Sequence, residues 1–170
     1  METLHLFLCA LLATSQPPPT PDLDLLLVDE EVFVGRVTQI LTGDTVEVWR
    51  EHAGVVVRLR GVGGLPQEHP RHEEAKRLLS RLLLESHVEV RAVPDPDSSE
   101  PHHLVATILV AGINAARELL ANGLAVYCPP PGGDRELEAA QTSARERRRG
   151  IWSRGSAHPR PEAGNTLCKS

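Results

Sequence analysis

Residues 35–67 read GRVTQILTGDTVEVWREHAGVVVRLRGVGGLPQ. Apolar and polar residues alternate there in three runs, 37–41, 46–49 and 55–59, each rich in the β-branched side chains that strands favour. Thr42-Gly43-Asp44 separates the first two runs, and His52-Ala53-Gly54 separates the last two. Both breaks carry the short, polar, Gly-containing chemistry of hairpin turns. The stretch therefore predicts a three-strand meander. Asp44 sits at its first turn, and Arg58 and Arg60 lie two apart on one face of its third strand.

The remaining elements follow outward from this meander. Ala75, Leu78, Leu79, Leu82 and Leu83 fall at helical spacing and predict an amphipathic helix over about 71–85 that buries Leu78, Leu79, Leu82 and Leu83. Pro70 suits its first turn, and Glu73 and Glu74 favour the positive end of its dipole. Residues 87–93 alternate as a fourth strand and 104–110 as a fifth, with a Pro/Asp/Ser loop between them. Asn114 is placed to cap a second helix and Gly123 to end it. Asp134 is placed to cap a third, running to about residue 149 with Gly150 as its terminator. The order β-β-β-α-β-β-α-α is α+β and mainly β, with a helix after the third of five strands. That is the layout of an OB-fold barrel.

Five motifs resemble the staphylococcal nuclease (thermonuclease-like) family, in order and correctly spaced. They are Gly43-Asp44-Thr45, the VRLRGV run at 57–62, the strand at 103–112, NAARELLANGLA at 114–125 and RRGIW at 148–152. The resemblance covers about 32–153 and implies a closed five-stranded OB-fold barrel with three helices. It also implies an ancestry in calcium-dependent cleavage of DNA and RNA phosphodiesters.

Residue by residue, the resemblance carries over only part of that chemistry. Asp44 matches the family's first calcium-ligating acid, with the Thr45 carbonyl as a weak further ligand. Arg58 matches the arginine that grips the scissile phosphate, where a guanidinium fork fits two oxygens. The family's second acid falls on Gly63, with Leu65 as an inserted residue, and its general base falls on Gln67, which cannot take a proton. Glu68 is the neighbouring carboxylate and the candidate base if the protein is active. The second phosphate-binding arginine falls on His103. Tyr127 lies near the family's base-stacking tyrosines. Calcium prefers six to eight oxygen ligands, so one carboxylate, a carbonyl and waters would hold it weakly.

Plainer roles stand beside these. Asp44 is also an ordinary turn residue, and Arg58 is also a cross-strand partner for Glu47. His69 and His72, like His102 and His103, lack Cys or acidic partners at ligand spacing.

The 170 residues suit one domain with a real core, and aromatics at 3% leave that core to Leu, Val and Ala. A formal charge of −5 excludes whole-molecule attraction to nucleic acid, so any such contact requires a local patch. Arg145, Arg147, Arg148 and Arg149, with Arg154 and Arg160 beyond, form the one dense basic run. A solvated, dipole-complementing helix end is its plain reading, and a face for phosphates or an acidic partner is the sharper one.

Residues 1–27 hold a ten-residue apolar run, too short to span a bilayer, followed by a Pro-rich linker. The run has the length of a signal-peptide core, but Glu2 precedes it and no Lys or Arg does, which favours an intracellular protein over a secreted one. The expected division is a leader at 1–27, the domain at 28–153 and a flexible tail at 154–170. Cys128 and Cys168 can pair if the chain is secreted and Cys9 is removed. No transmembrane segment is visible.

The leading expectation is a nuclease-like OB-fold module with a degenerate site, binding nucleic acid or protein and holding no cofactor. The alternative is an active, divergent calcium-dependent nuclease using Asp44, Arg58 and Glu68.

Overall fold

A computed structural model describes residues 30–93, 103–153 and 166–168. The leader at 1–27 and residues 154–165 lie outside them. Strand β1 spans Glu31–Ile40, β2 Thr45–Arg50, β3 Ala53–Leu59 and β4 Val62–Gly64. Helix α1 spans His72–Leu83, followed by β5 at His87–Val93, β6 at His103–Val110 and β7 at Ile113–Asn114. Helix α2 covers Ala115–Ala121, β8 Ala125–Tyr127 and α3 Arg135–Glu146. Short 3-10 turns follow at Gly150–Trp152 and Thr166–Cys168.

The strands β3-β2-β1-β5-β6 lie side by side, and a parallel β3–β6 pairing closes them into a five-stranded barrel. The other ladders of that barrel are antiparallel. This is the mixed, closed OB-type barrel with three helices that the element order predicts. Its first strand is longer than the predicted run at 37–41. The segment Glu31–Arg36 pairs with His87–Ala92 of β5, and only the second half of β1 pairs with β2. The sequence masks this half because Val32 and Val34 stay exposed while Phe33 turns inward, so its apolar residues do not alternate with polar ones.

The barrel interior is aliphatic. Val37, Val46, Val48, Val57, Leu59, Val90 and Ile108 are fully or nearly fully buried. Helix α1 closes one side with Ala75, Leu79 and Leu83 at 0% exposure. Leu78 and Leu82, expected in the same buried set, are only partly buried on the flanks of that stripe. The stripe begins instead at His72, which is 4% exposed and donates from Nδ1 to the Leu65 carbonyl at 2.8 Å, a bond that makes burial of the ring tolerable.

Both later caps form as predicted. Asn114 accepts from the Ala116 and Arg117 N–H groups, and Asp134 from those of Glu136 and Leu137. Helix α2 ends at a left-handed Gly123. Helix α3 stops at Glu146, before the expected residue 149, and the left-handed residue that ends it is Arg148.

A second, two-stranded sheet pairs Val62, Gly63 and Gly64 of β4 with Tyr127, Val126 and Ala125 of β8. Leu65, Val126 and Ile151 make a small satellite core there, with Trp152 and Leu167 packed against it. In the expected tail, Cys168 is disulfide-bonded to Cys128, with Cα atoms 5.5 Å apart. This sheet carries the loop on which any inherited chemistry depends.

Candidate functional site

The turn between β1 and β2 presents Asp44, and the β2–β3 hairpin sets Thr45 opposite Arg58. The parallel β3–β6 ladder then places Arg58 beside Val105 and Val56 beside His103. Thr45, Arg58 and His103 therefore share one side of the sheet, since residues two apart along a strand face the same way. The expected pairing of Arg58 with Glu47 is not the ladder's own. Glu47 stands opposite Val56 and accepts the Thr38 hydroxyl at 2.7 Å. Arg60 lies past the end of β3, where its N–H donates to the Ala106 carbonyl at 2.8 Å.

The Asp44 carboxylate is turned onto the protein's own backbone. Its Oδ2 accepts the Gly64 N–H at 2.9 Å. Its Oδ1 accepts the Thr42 hydroxyl at 2.8 Å and the Thr45 hydroxyl at 3.2 Å. The carboxylate fills the space where a side chain at residue 64 would begin: a Cβ on Gly64 would lie 2.5 Å from Asp44 Cγ. The Asp44 carbonyl in turn accepts the Leu59 N–H at 2.9 Å. Asp44 thus ties the first turn to the end of β3 and to β4.

Position 63, where the second acid is expected, faces elsewhere. A Cβ there would run into the Leu167 carbonyl and sit 3.0 Å from Cys128 Sγ. The residue that confronts Asp44 is Gly64. Leu65, expected as the insertion, is buried in the satellite core. Two glycines inside a strand signal close approach of other groups. The sequence cannot say which neighbour each one meets.

The Thr45 carbonyl accepts the N–H groups of Leu41 at 2.9 Å and Thr42 at 3.1 Å. Both of its lone pairs are thereby occupied. Gln67 and Glu68 are exposed on a tight turn closed by the His69 N–H on the Pro66 carbonyl at 2.9 Å. His69 Nδ1 accepts the Arg71 N–H at 3.1 Å. Partial burial, then the charge of Arg71 and the neighbouring His72, hold its pKa below the usual histidine value. Tyr127 is committed to structure: its hydroxyl accepts the Asp134 N–H at 2.7 Å, and its own N–H donates to Gln141 Oε1 at 2.9 Å. Gln141, 7% exposed, is a buried polar anchor that the helical pattern does not distinguish from its solvated neighbours.

Both Asp44 oxygens and the Thr45 carbonyl serve protein donors, and residues 63, 64 and 67 carry no carboxylate. Among the described residues, no group of three or more His, Cys, Asp or Glu side chains could hold a metal ion. No helix among them is long and apolar enough to cross a membrane.

The family model described as staphylococcal nuclease homologue matches residues 56–154, more than half of the chain. No curated protein matches it.

Proposed function

The chain belongs to the staphylococcal nuclease homologue family, and from that membership we propose a binding module that does not cleave phosphodiester bonds. The observation that carries this reading is the Asp44 carboxylate, engaged by one N–H and two hydroxyl donors of its own fold. A nuclease of this kind needs that carboxylate open toward a cation, a second acid beside it and a base to deprotonate water. Here residues 63 and 64 are both glycine, and the base place is Gln67. Glu68, exposed on its turn, does not replace them. Arg58 and His103 are the phosphate-contacting candidates that persist, on a sheet surface the barrel holds rigid.

Loss of a general base typically lowers a rate by about 10²–10⁴. Loss of a charge-stabilising partner lowers it by roughly 10²–10³ more. Hydrolysis of single-stranded DNA or RNA in millimolar calcium is therefore expected to stay at background, equal to that of Asp44→Ala. Calcium-dependent cleavage that disappears in Asp44→Ala would establish a divergent nuclease instead, with Glu68 as candidate base.

The reading extends to the compartment. A Cys128–Cys168 disulfide is the chemistry of oxidising compartments and secreted proteins. It supports the secreted alternative for the leader over the intracellular one.

A further inference from the structure

We infer that the end of α3 is a docking face for single-stranded nucleic acid, built from Arg145, Arg147, Arg148 and Arg149 around Trp152. The inference rests on the binding-module reading and names its partner class and its place in the fold.

The first observation is a local concentration of arginine without ion-pair partners in an acidic protein. Arg36, Arg50, Arg71, Arg91 and Arg117 each pair with a glutamate. Arg145, Arg147, Arg148 and Arg149 are all exposed, and none forms an ion pair among the described residues. Dipole complementation accounts for one or two cations in a last helical turn. Arg149 lies beyond the helix and serves the end of α2, donating from Nη1 to the Ala121 carbonyl at 3.3 Å, but no helix end accounts for arginine at residues 147 and 148 together.

The second observation is where Arg148 sits. The Arg149 N–H donates to the Ala144 carbonyl at 2.9 Å and the Arg148 N–H to that of Arg145 at 3.0 Å. These bonds close a Schellman motif, whose left-handed residue is usually glycine. Arg148 occupies that place at φ 53°. A residue with a Cβ is disfavoured there, so the fold gains nothing from arginine at this position.

The third observation sets the kind of polyanion. The Arg145 guanidinium carbon lies over the Trp152 ring, 4.3 Å from its centroid, and the Arg145 side chain is exposed on its other side. A guanidinium held against an indole presents its other face outward, and unpaired bases stack on such planes. Trp152 is itself fixed against the satellite core, and Arg71 reaches from the start of α1 to Ser153 Oγ at 3.2 Å. The platform is therefore anchored, and the chain between its two members carries three exposed guanidiniums, Arg147, Arg148 and Arg149, for phosphates. An acidic peptide would use the charges but not the stacking surface, and a duplex would offer no unpaired base.

The test uses the full chain in EDTA, so that cleavage cannot interfere, and follows the anisotropy of a fluorescein-labelled oligouridine of roughly 12 nucleotides. Three phosphate contacts at a slope of about 0.7 each predict an affinity loss of about 20-fold between about 50 and about 200 mM KCl. Arg147→Glu with Arg148→Glu should weaken binding more than tenfold. Arg148→Gly should weaken it several-fold while leaving Tm unchanged or raised, which separates lost binding from lost fold. Arg145→Ala should reduce the preference for oligouridine over a duplex of equal length. No binding at low salt, unchanged affinity in the double variant, or equal competition by polyglutamate would overturn the inference. Cleavage in a parallel calcium arm would defeat the non-catalytic reading alone, because the EDTA arm reports binding independently.

Discussion

Replacing Asp44 with alanine separates a structural carboxylate from a ligand-ready one. In this fold Asp44 holds the Gly64 N–H at 2.9 Å and the hydroxyls of Thr42 and Thr45 at 2.8 and 3.2 Å. A hydrogen bond to a charged acceptor contributes about 1.5–3 kcal/mol, and the lower end applies because Asp44 is half-exposed and water can reach the vacated N–H. The hydroxyls can turn to solvent, so each adds about 0.5 kcal/mol. Asp44→Ala should therefore destabilise the domain by about 2–3 kcal/mol, lowering Tm by roughly 4–12 °C for a chain of this size. Asp44→Asn keeps one acceptor for Gly64 but turns an amide toward the hydroxyls, and should cost about 1 kcal/mol. Urea unfolding with a fixed m-value measures both, and added calcium should leave the wild-type midpoint where it is. A carboxylate held open for a cation behaves in the opposite way, since its removal is neutral or stabilising. An Asp44→Ala protein as stable as wild type, or a wild type that calcium stabilises, would refute the assignment.

Three further outcomes follow from particular contacts. Leu79→Ala empties a fully buried site and should cost about 2–5 kcal/mol, whereas the partly buried Leu82→Ala should cost roughly half as much or less by the same unfolding assay. Cys168→Ser opens a loop with a sequence separation of 40 and should cost about 2–4 kcal/mol, and a non-reducing mass measurement should show two hydrogen atoms fewer in wild type than in its reduced form. His69, with its pKa lowered from 6.5 by burial and its cationic neighbours, binds a proton less readily folded than unfolded. Its neutral form is therefore favoured by folding. Stability is unaffected by this group above about pH 7 and declines as pH falls below 6.5, and His69→Gln should flatten that part of the profile.

The sequence by itself determined the five barrel strands, the three helices and their order, but not the short strands β4, β7 and β8. Alternation, helical spacing and caps are local signals, and Asn114 and Asp134 cap where short-range chemistry places them. That residues 63, 64 and 67 carry no carboxylate is likewise a matter of composition. The sequence reached less far where burial depends on a partner from a distant part of the chain. The periodicity of α1 gave the apolar face, but the packing of Ala75, Leu79 and Leu83 against the barrel decided its centre and drew in His72. The first half of β1 became a strand because β5 pairs with it, not because its own pattern alternates.

Tertiary structure alone decided what the remaining site groups do. Two adjacent glycines look equivalent in sequence, yet β4 alternates its faces, so one meets Leu167 and the other meets Asp44. A carboxylate has no intrinsic preference between a cation and an N–H. Asp44 serves the fold because the β4–β8 pairing brings the Gly64 amide within hydrogen-bond reach across 20 residues of chain, and that approach is a property of the closed barrel and its second sheet. The arginine run is visible in the sequence, but its left-handed Arg148 and its stack on Trp152 come only from the way α3 ends against the satellite core.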